Sequence, residues 1–258
     1  MRTPMWKTFV VAVIVGLSSL SFSFGSSNLD QVAREMKSMS VAELERAGDE
    51  CRAQKNYEQA IQYFREAVRK DRKNAVLFNK LGLSELKNGD NKGARADFEK
   101  SAKVNKNYAD AFNNVGAVYF VEKNFNEATR YFKKAVALEE ARATFHVNLG
   151  EAWFAQKKLD WAINEFSRAL ELDPEVLAHS SRTGISAQVS SPEERANFYY
   201  MLAKIQAKRG DFEECLACLK KAKENGHRNL ANVYKDEEFS RFWDDARLAE
   251  VVPPPTPK

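Results

Sequence analysis

The sequence contains few of the residues that interrupt helices, and its charges are nearly balanced. Its 258 residues include 11 glycines and 7 prolines, and few of either lie in the middle of the chain. This composition favours helices, because glycine and proline are the poorest helix formers. The 40 basic and 36 acidic residues are spread along the whole chain. Nucleic acid as the main ligand would require a basic stripe or patch, so this distribution argues against it.

The sequence also lacks the usual combinations of catalytic and metal-binding residues. It has no glycine-rich phosphate loop, no serine elbow and no paired-histidine helix motif. The three histidines, His146, His179 and His227, are far apart in the sequence. We therefore predict that the protein is not an enzyme and uses no cofactor and no metal.

The first 25 residues differ from everything that follows. Arg2 and Lys7 precede an apolar run at residues 9–17, and small polar residues continue to Gly25. This order is typical of a secretory signal. The apolar run is about half of the roughly 20 residues that span a bilayer, so we predict cleavage after Gly25. The mature protein is then periplasmic or secreted; the alternative is an uncleaved segment that anchors the chain, the only route we predict to membrane contact.

A repeat of 34 residues is the strongest feature of the sequence. Four positions recur in phase at this step, and each is restricted to one kind of side chain. They are Gly48, Gly82, Gly116 and Gly150; Ala60, Ala94, Ala128 and Ala162; Phe64, Phe98, Phe132 and Phe166; and Ala67, Ser101, Ala135 and Ala169. Large residues three and four apart flank them and fall on one helical face. Each unit is therefore predicted to contain two amphipathic helices joined by a short polar turn.

These positions resemble the tetratricopeptide repeat family, whose pattern places Leu-Gly, an aromatic residue, Ala, Phe, Ala and Pro at fixed offsets. Residues 143–176 match best, with Leu149, Gly150, Trp153, Ala162, Phe166, Ala169 and Pro174. They depart from the pattern at His146, where the family usually has an aromatic residue, and in the second unit Glu85 replaces the usual tyrosine. The resemblance implies an all-α fold, a right-handed α-solenoid of stacked helix pairs with a C-terminal helical cap.

A fifth unit keeps the internal offsets but is displaced by an insertion of 19 residues. Ser191, Pro192 and Glu194 have the spacing of a capping box at the start of its first helix. We divide the chain into a signal peptide (1–25), a linker (26–40), four contiguous units (41–74, 75–108, 109–142 and 143–176), an insertion (177–195), a fifth unit (196–229), capping helices (230–252) and a disordered tail (253–258).

The resemblance also implies a binding groove. In this family the first helix of each unit lines the concave surface, and asparagines on it often bind the backbone of an extended peptide. An amide can satisfy both a peptide N–H and a C=O group, and a neighbouring aromatic ring adds apolar contact. The predicted groove residues are Asn79, Lys80, Asn113, Asn114, Phe120, Asn148, Phe154 and Tyr200. The alternative interpretation is that Asn114 and Asn148 are ordinary exposed polar residues.

The pair Cys215 and Cys218 has a spacing that permits a disulfide or a shared metal. Cys215 occupies the small-residue position of a helix interior, and no second Cys or His pair lies at zinc spacing. We therefore predict two packing thiols, with a redox pair as the alternative.

The unbroken array favours a non-catalytic scaffold that binds a protein or peptide of unknown identity in its groove. One alternative is a structural repeat protein that assembles with itself. A less favoured alternative is an enzyme that uses the insertion, where His179, Ser180, Ser181 and Arg182 form a polar cluster, or a redox protein that uses the two cysteines.

Overall fold

The computed structural model describes residues 34–177 and 191–255, and the regular structure in these ranges is helical throughout. Ten helices form five antiparallel pairs, in which each helix packs against the next along the chain. They are α1 (Val41–Ala53) and α2 (Tyr57–Lys70), α3 (Ala75–Lys87) and α4 (Asn91–Val104), α5 (Ala109–Val121) and α6 (Phe125–Leu138), α7 (Ala143–Ala155) and α8 (Leu159–Leu172), and α9 (Pro192–Arg209) and α10 (Phe212–Glu224). Residues 34–38, which the sequence assigns to the linker, are also helical.

Three short helices follow the fifth pair. Two are 3₁₀ helices, Leu230–Tyr234 and Glu237–Phe242, and the third is α11, Ala246–Val251. Each contributes a side chain with no exposed surface, namely Val233, Phe239 and Leu248. These side chains join the core of the last two pairs, so the segment covers an apolar face that would otherwise contact water.

The capping box at the start of α9 is confirmed. Ser191 Oγ accepts a hydrogen bond from the Glu194 N–H, and the Glu194 carboxylate accepts one from the Ser191 N–H, both at 3.1 Å. Pro192 follows at the first helical position, where its missing N–H costs nothing. The helix therefore begins at Pro192, inside the range 177–195 that the sequence assigns to the insertion.

In each of the first four pairs, a glycine of the first helix lies under a phenylalanine ring of the second. A Cβ atom added to Gly48, Gly82 or Gly116 would lie 2.7 Å from the ring, and one added to Gly150 would lie 3.1 Å from it. The four rings, Phe64, Phe98, Phe132 and Phe166, are fully buried. Glycine at these positions lets the backbone of the first helix approach the ring, which sets the distance between the two helices.

The fifth pair uses a different combination at the same two positions. Ala203 stands in the glycine position and Leu219 in the phenylalanine position, and both are fully buried. Leucine is smaller than phenylalanine, so it leaves room for the alanine Cβ. The two positions therefore vary together, a larger residue at one accompanying a smaller residue at the other.

Two polar residues at otherwise apolar positions have complete hydrogen bonding. Ser101 Oγ donates to the Ala75 carbonyl oxygen at 2.7 Å. His146 Nδ1 lies 2.7 Å from Glu165 Oε2, and its Nε2 lies 2.9 Å from the Glu140 carbonyl oxygen. Because buried polar groups are tolerated when they are hydrogen bonded, neither residue disrupts the packing.

The glycine–phenylalanine contact predicts a compensating pair of substitutions. We expect Gly116→Ala to lower the free energy of unfolding by roughly 2 kcal/mol, because the new Cβ collides with the buried Phe132 ring. Phe132→Leu alone leaves a cavity and costs about 1 kcal/mol. The double variant copies the Ala203–Leu219 pair, so its loss is expected to be smaller than the sum by about 1 kcal/mol. Urea unfolding followed by circular dichroism measures all three, and strictly additive losses would contradict the packing described here.

Candidate functional site

The first helices of the central units are linked by a continuous chain of side-chain amides, which we call the amide ladder (Asn79, Asn113, Asn114 and Asn148). Asn148 Nδ2 donates to Asn113 Oδ1 at 2.7 Å, and Asn114 Nδ2 donates to Asn79 Oδ1 at 2.8 Å. A longer contact of 3.5 Å joins Asn113 Nδ2 to Asn114 Oδ1. Asn79 Nδ2 also donates to the Tyr108 hydroxyl at 3.3 Å. The ladder therefore runs across α3, α5 and α7.

The hydrogen bonds among the described residues use only part of the bonding capacity of the ladder. Asn113, Asn114 and Asn148 are half-buried, whereas Asn79 is only 5% exposed. A carboxamide offers two N–H donors and two acceptor lone pairs, and the bonds within the ladder use some of them. The three half-buried amides can therefore bond to the backbone of an extended chain. Asn79 is buried and orients Asn114 by accepting its hydrogen bond.

Lys80 joins the first two units instead of facing an open groove. Its Nζ lies 2.6 Å from Glu45 Oε1 and 2.5 Å from Asp49 Oδ2, both on α1. Burial lowers the pKa of Lys80, but the hydrogen bonds that its ammonium group donates to Asp49 and Glu45 outweigh burial and leave the pKa raised. Lys80 is therefore charged at neutral pH and forms ion pairs with these two carboxylates.

The two phenylalanines predicted to line the groove differ in accessibility. Phe120 is 6% exposed, and its ring packs at 5.3 Å from the Phe125 ring, so it belongs to the core and not to an accessible surface. Phe154 is half-buried and contacts the Phe198 ring edge-on at 5.6 Å. Of the two, Phe154 retains surface that a bound segment can contact.

Tyr200 is tied to the C-terminal cap. Its hydroxyl donates to Asp236 Oδ2 at 2.8 Å, and its ring stacks on His227 at a centroid distance of 4.3 Å. Burial and the hydrogen bond to Asp236 both raise the tyrosine pKa, so the hydroxyl stays protonated. The structure thus places Tyr200 apart from the amide ladder.

A buried carboxyl group that sequence reasoning missed lies next to the Gly150 position. Glu151 on α7 is 9% exposed, and its Oε2 has no hydrogen-bond partner in the described residues. Burial raises its pKa to about 8. Side chains 35 residues apart form hydrogen bonds between the first helices of adjacent units, as Glu45 and Lys80 do. This spacing could have indicated from the sequence which residues are in contact, but it does not reveal which of them are buried.

Glu85, which replaces the usual tyrosine, is a second buried carboxyl group. It is 3% exposed and lies 2.9 Å from Arg65 Nη2. Burial, followed by the nearby Asp97 carboxylate, raises its pKa to about 7 despite the arginine. The acidic group is accommodated because it can remain protonated.

The two cysteines of the Cys-x-x-Cys sequence are buried, and no disulfide joins them in the structure. Burial raises the pKa of Cys215 to about 12 and that of Cys218 to about 11. Because the thiolate is the reactive form, these values make both thiols poor nucleophiles. The cluster His179, Ser180, Ser181 and Arg182 lies outside the described residues.

Two further properties concern the parts of the chain that the structure describes. In residues 34–177 and 191–255, no three His, Cys, Asp or Glu side chains are grouped so that they share a metal position. Among the helices of the same two ranges, none combines the length and apolar character required to cross a membrane.

The buried carboxyl groups predict how stability changes with pH. A carboxyl group with a pKa of about 8 in the folded chain and 4.5 as its ordinary value keeps its proton where the unfolded chain has lost it. Stability therefore falls as the pH rises from about 4.5 to about 8. We expect Glu151→Gln to remove part of this fall. Between pH 5 and pH 8, the free energy of unfolding of the variant should decrease by roughly 1–3 kcal/mol less than that of the wild type.

The measurement is urea unfolding across this pH range, with Glu58→Gln as the control. Glu58 is exposed on α2, so its substitution should leave the pH dependence of the wild type unchanged. A Glu151→Gln variant that kept the full wild-type slope would show that Glu151 ionises normally in the folded chain.

The stacked helix pairs define a helical repeat protein whose first helices present a polar, partly accessible face. Profiles of the TPR repeat and the tetratricopeptide repeat match residues 48–89, 79–138, 143–176 and 196–225, which together cover more than half of the chain. The chain belongs to the tetratricopeptide repeat family.

Solved structures share this fold at low sequence identity. A MamA structure from Desulfovibrio magneticus RS-1 superposes with a TM-score of 0.52 at 20% identity, covering 79% of this chain and 97% of that one. YrrB, a TPR protein with an unusual peptide-binding site, superposes with a TM-score of 0.51 at 19% identity, covering 80% and 96%. No curated protein matches the chain significantly in sequence. The shared fold is the α-solenoid of stacked helix pairs.

Proposed function

We propose that the protein is a non-catalytic scaffold outside the cytoplasm that binds an extended segment of a partner protein along the first helices of residues 41–176. The observation that carries this proposal is the amide ladder. Three of its amides are half-buried, and the hydrogen bonds among the described residues use only part of their donor and acceptor capacity. An extended backbone presents N–H and C=O groups at regular intervals, which matches such a row.

Two further points support this proposal. Burial raises the pKa of the Cys215 and Cys218 thiols, and a high thiol pKa disfavours the reactive thiolate. YrrB, which has the same fold, carries a peptide-binding site. Proteins that share a fold differ in their ligands, so the partner must be identified by experiment on this chain.

The groove proposal predicts the effect of removing two central amides. We expect Asn114→Ala/Asn148→Ala to reduce binding to peptides selected on the wild type from a random display library by about tenfold or more. The reason is that two hydrogen-bonding side chains disappear from the contact surface. Fluorescence anisotropy of labelled synthetic peptides measures the affinities.

The matched control removes two asparagines from the outer surface. Asn126 and Asn164 are exposed on α6 and α8, the second helices of the same two units. The variant Asn126→Ala/Asn164→Ala should bind as the wild type does. Equal binding by all three proteins, with each shown to be folded by circular dichroism, would refute the groove as the binding site.

The proposed location rests on the N-terminal sequence alone. Arg2, Lys7, the apolar run 9–17 and Gly25 lie outside the described residues. We expect the protein isolated from its native cells to have the intact mass of a chain that begins at residue 26. Recovery of the full-length chain from the cytosol would contradict export, whereas the full-length chain in the membrane fraction would indicate an uncleaved anchor.

A further inference from the structure

The buried carboxyl group of Glu151 has an oxygen atom, Oε2, without a hydrogen-bond partner among the described residues. The side chain is more than nine-tenths buried, and in the described part of the chain no hydrogen bond or ion pair holds its Oε2. Burying a carboxyl group without a partner is unfavourable, so such a group in a native structure requires an explanation.

The first unit shows what a carboxylate does at this position when a cation is present. Asp49 directly follows Gly48, as Glu151 follows Gly150, so the two residues are equivalent in the repeat. Asp49 and the neighbouring Glu45 both bind Lys80 Nζ, which comes from the first helix of the next unit. A carboxylate at this position can therefore bind an ammonium group that lies along the first-helix face.

The cation is missing from the equivalent place in the fifth unit. Met201 stands where the second unit has Lys80, and Val147 stands where the first unit has Glu45. The residue of the fifth unit that corresponds to Glu151 in the repeat is Lys204. Its Nζ is held at 3.3 Å by both Asp236 and Glu238 of the C-terminal cap. Within residues 34–177 and 191–255, these positions therefore supply no ammonium group for Glu151.

We propose that Glu151 binds the cationic side chain of a lysine or arginine in the partner segment. This inference rests on the proposed groove function and adds the class of residue that the groove selects. Met201 is unbranched and flexible, so it can move aside while its thioether and the exposed part of Phe154 contact the aliphatic stem of the incoming side chain. The carboxyl proton passes to solvent, and the carboxylate forms an ion pair with the ammonium or guanidinium group.

The acidic residues at the other end of this face are already paired within the protein. Lys80 binds Glu45 and Asp49, and Glu50 Oε1 lies 3.8 Å from Arg46 Nε. The expected preference for a basic segment therefore depends on Glu151. The raised pKa of Glu151 means that binding of a cation at neutral pH releases about one proton.

The test is a double-mutant cycle between protein and peptide. Peptides are selected on the full chain from a random display library, and one that contains lysine is resynthesised with norleucine, which keeps the stem and removes the ammonium group. We expect the wild type to prefer the lysine peptide by about tenfold or more, and Glu151→Gln to reduce this preference to about twofold or less. Titration calorimetry in two buffers of different ionisation enthalpy should show proton release with the wild type only.

Two variants serve as controls. Glu58→Gln removes an exposed carboxylate from α2 and should retain the full preference for lysine. Met201→Lys copies the arrangement seen with Lys80, so the new ammonium group should form an ion pair with Glu151. This variant should bind the lysine peptide more weakly than the wild type does, with a smaller effect on the norleucine peptide.

The possible outcomes separate this inference from the function on which it rests. If peptides bind along the amide ladder but are not enriched in basic residues, or if Glu151→Gln keeps the preference for lysine, the inference is overturned and the groove proposal stands. If no peptide is selected on the wild type, both the groove proposal and this inference fail.

Discussion

The close approach of a glycine in the first helix to a buried phenylalanine in the second is the contact on which the rest of the structure depends. It sets the helix separation within a pair, and it recurs from Gly48 to Gly150 without change of register. Because each pair has the same geometry, each presents the same surface to the next pair, and stacking buries that surface. The same regularity brings the first helices of neighbouring units together, so that residues 35 apart form hydrogen bonds and ion pairs.

The chemistry of this face changes along the array although the backbone repeats. The first junction holds a lysine between two carboxylates, and the next two hold pairs of amides. The junction before the fifth unit has Met201 and Glu151, whose Oε2 has no hydrogen-bond partner among the described residues. In the sequence, the 19-residue insertion also separates units four and five, and within the fifth unit Ala203 and Leu219 replace glycine and phenylalanine. The packing positions therefore maintain the fold, while the neighbouring positions on the first helices differ in chemistry from one unit to the next.

The sequence predicted the fold well because the glycine, alanine and phenylalanine positions reflect packing that has few alternatives. It also predicted the start of α9, since a capping box is a local interaction. It could not show that the Phe120 and Asn79 side chains are buried. It also could not show that Lys80 forms ion pairs with Glu45 and Asp49. Accessibility depends on side chains of the adjacent unit, and the repeat pattern indicates only which helix face a residue occupies. Glu151 was missed for the same reason, because its burial follows from the packing around it.

The central claim is that the first helices, and not the outer surface, contact the partner. Site-specific photo-cross-linking in native cells tests it most directly, with the photoreactive amino acid p-benzoylphenylalanine placed at residue 114 in one strain and at residue 126 in another. Residue 114 lies on α5 within the amide ladder, and residue 126 lies exposed on α6 of the same unit. We expect a discrete cross-linked partner from residue 114 and none from residue 126. The same partner cross-linked with equal yield from residue 126, or from residue 126 alone, would contradict it.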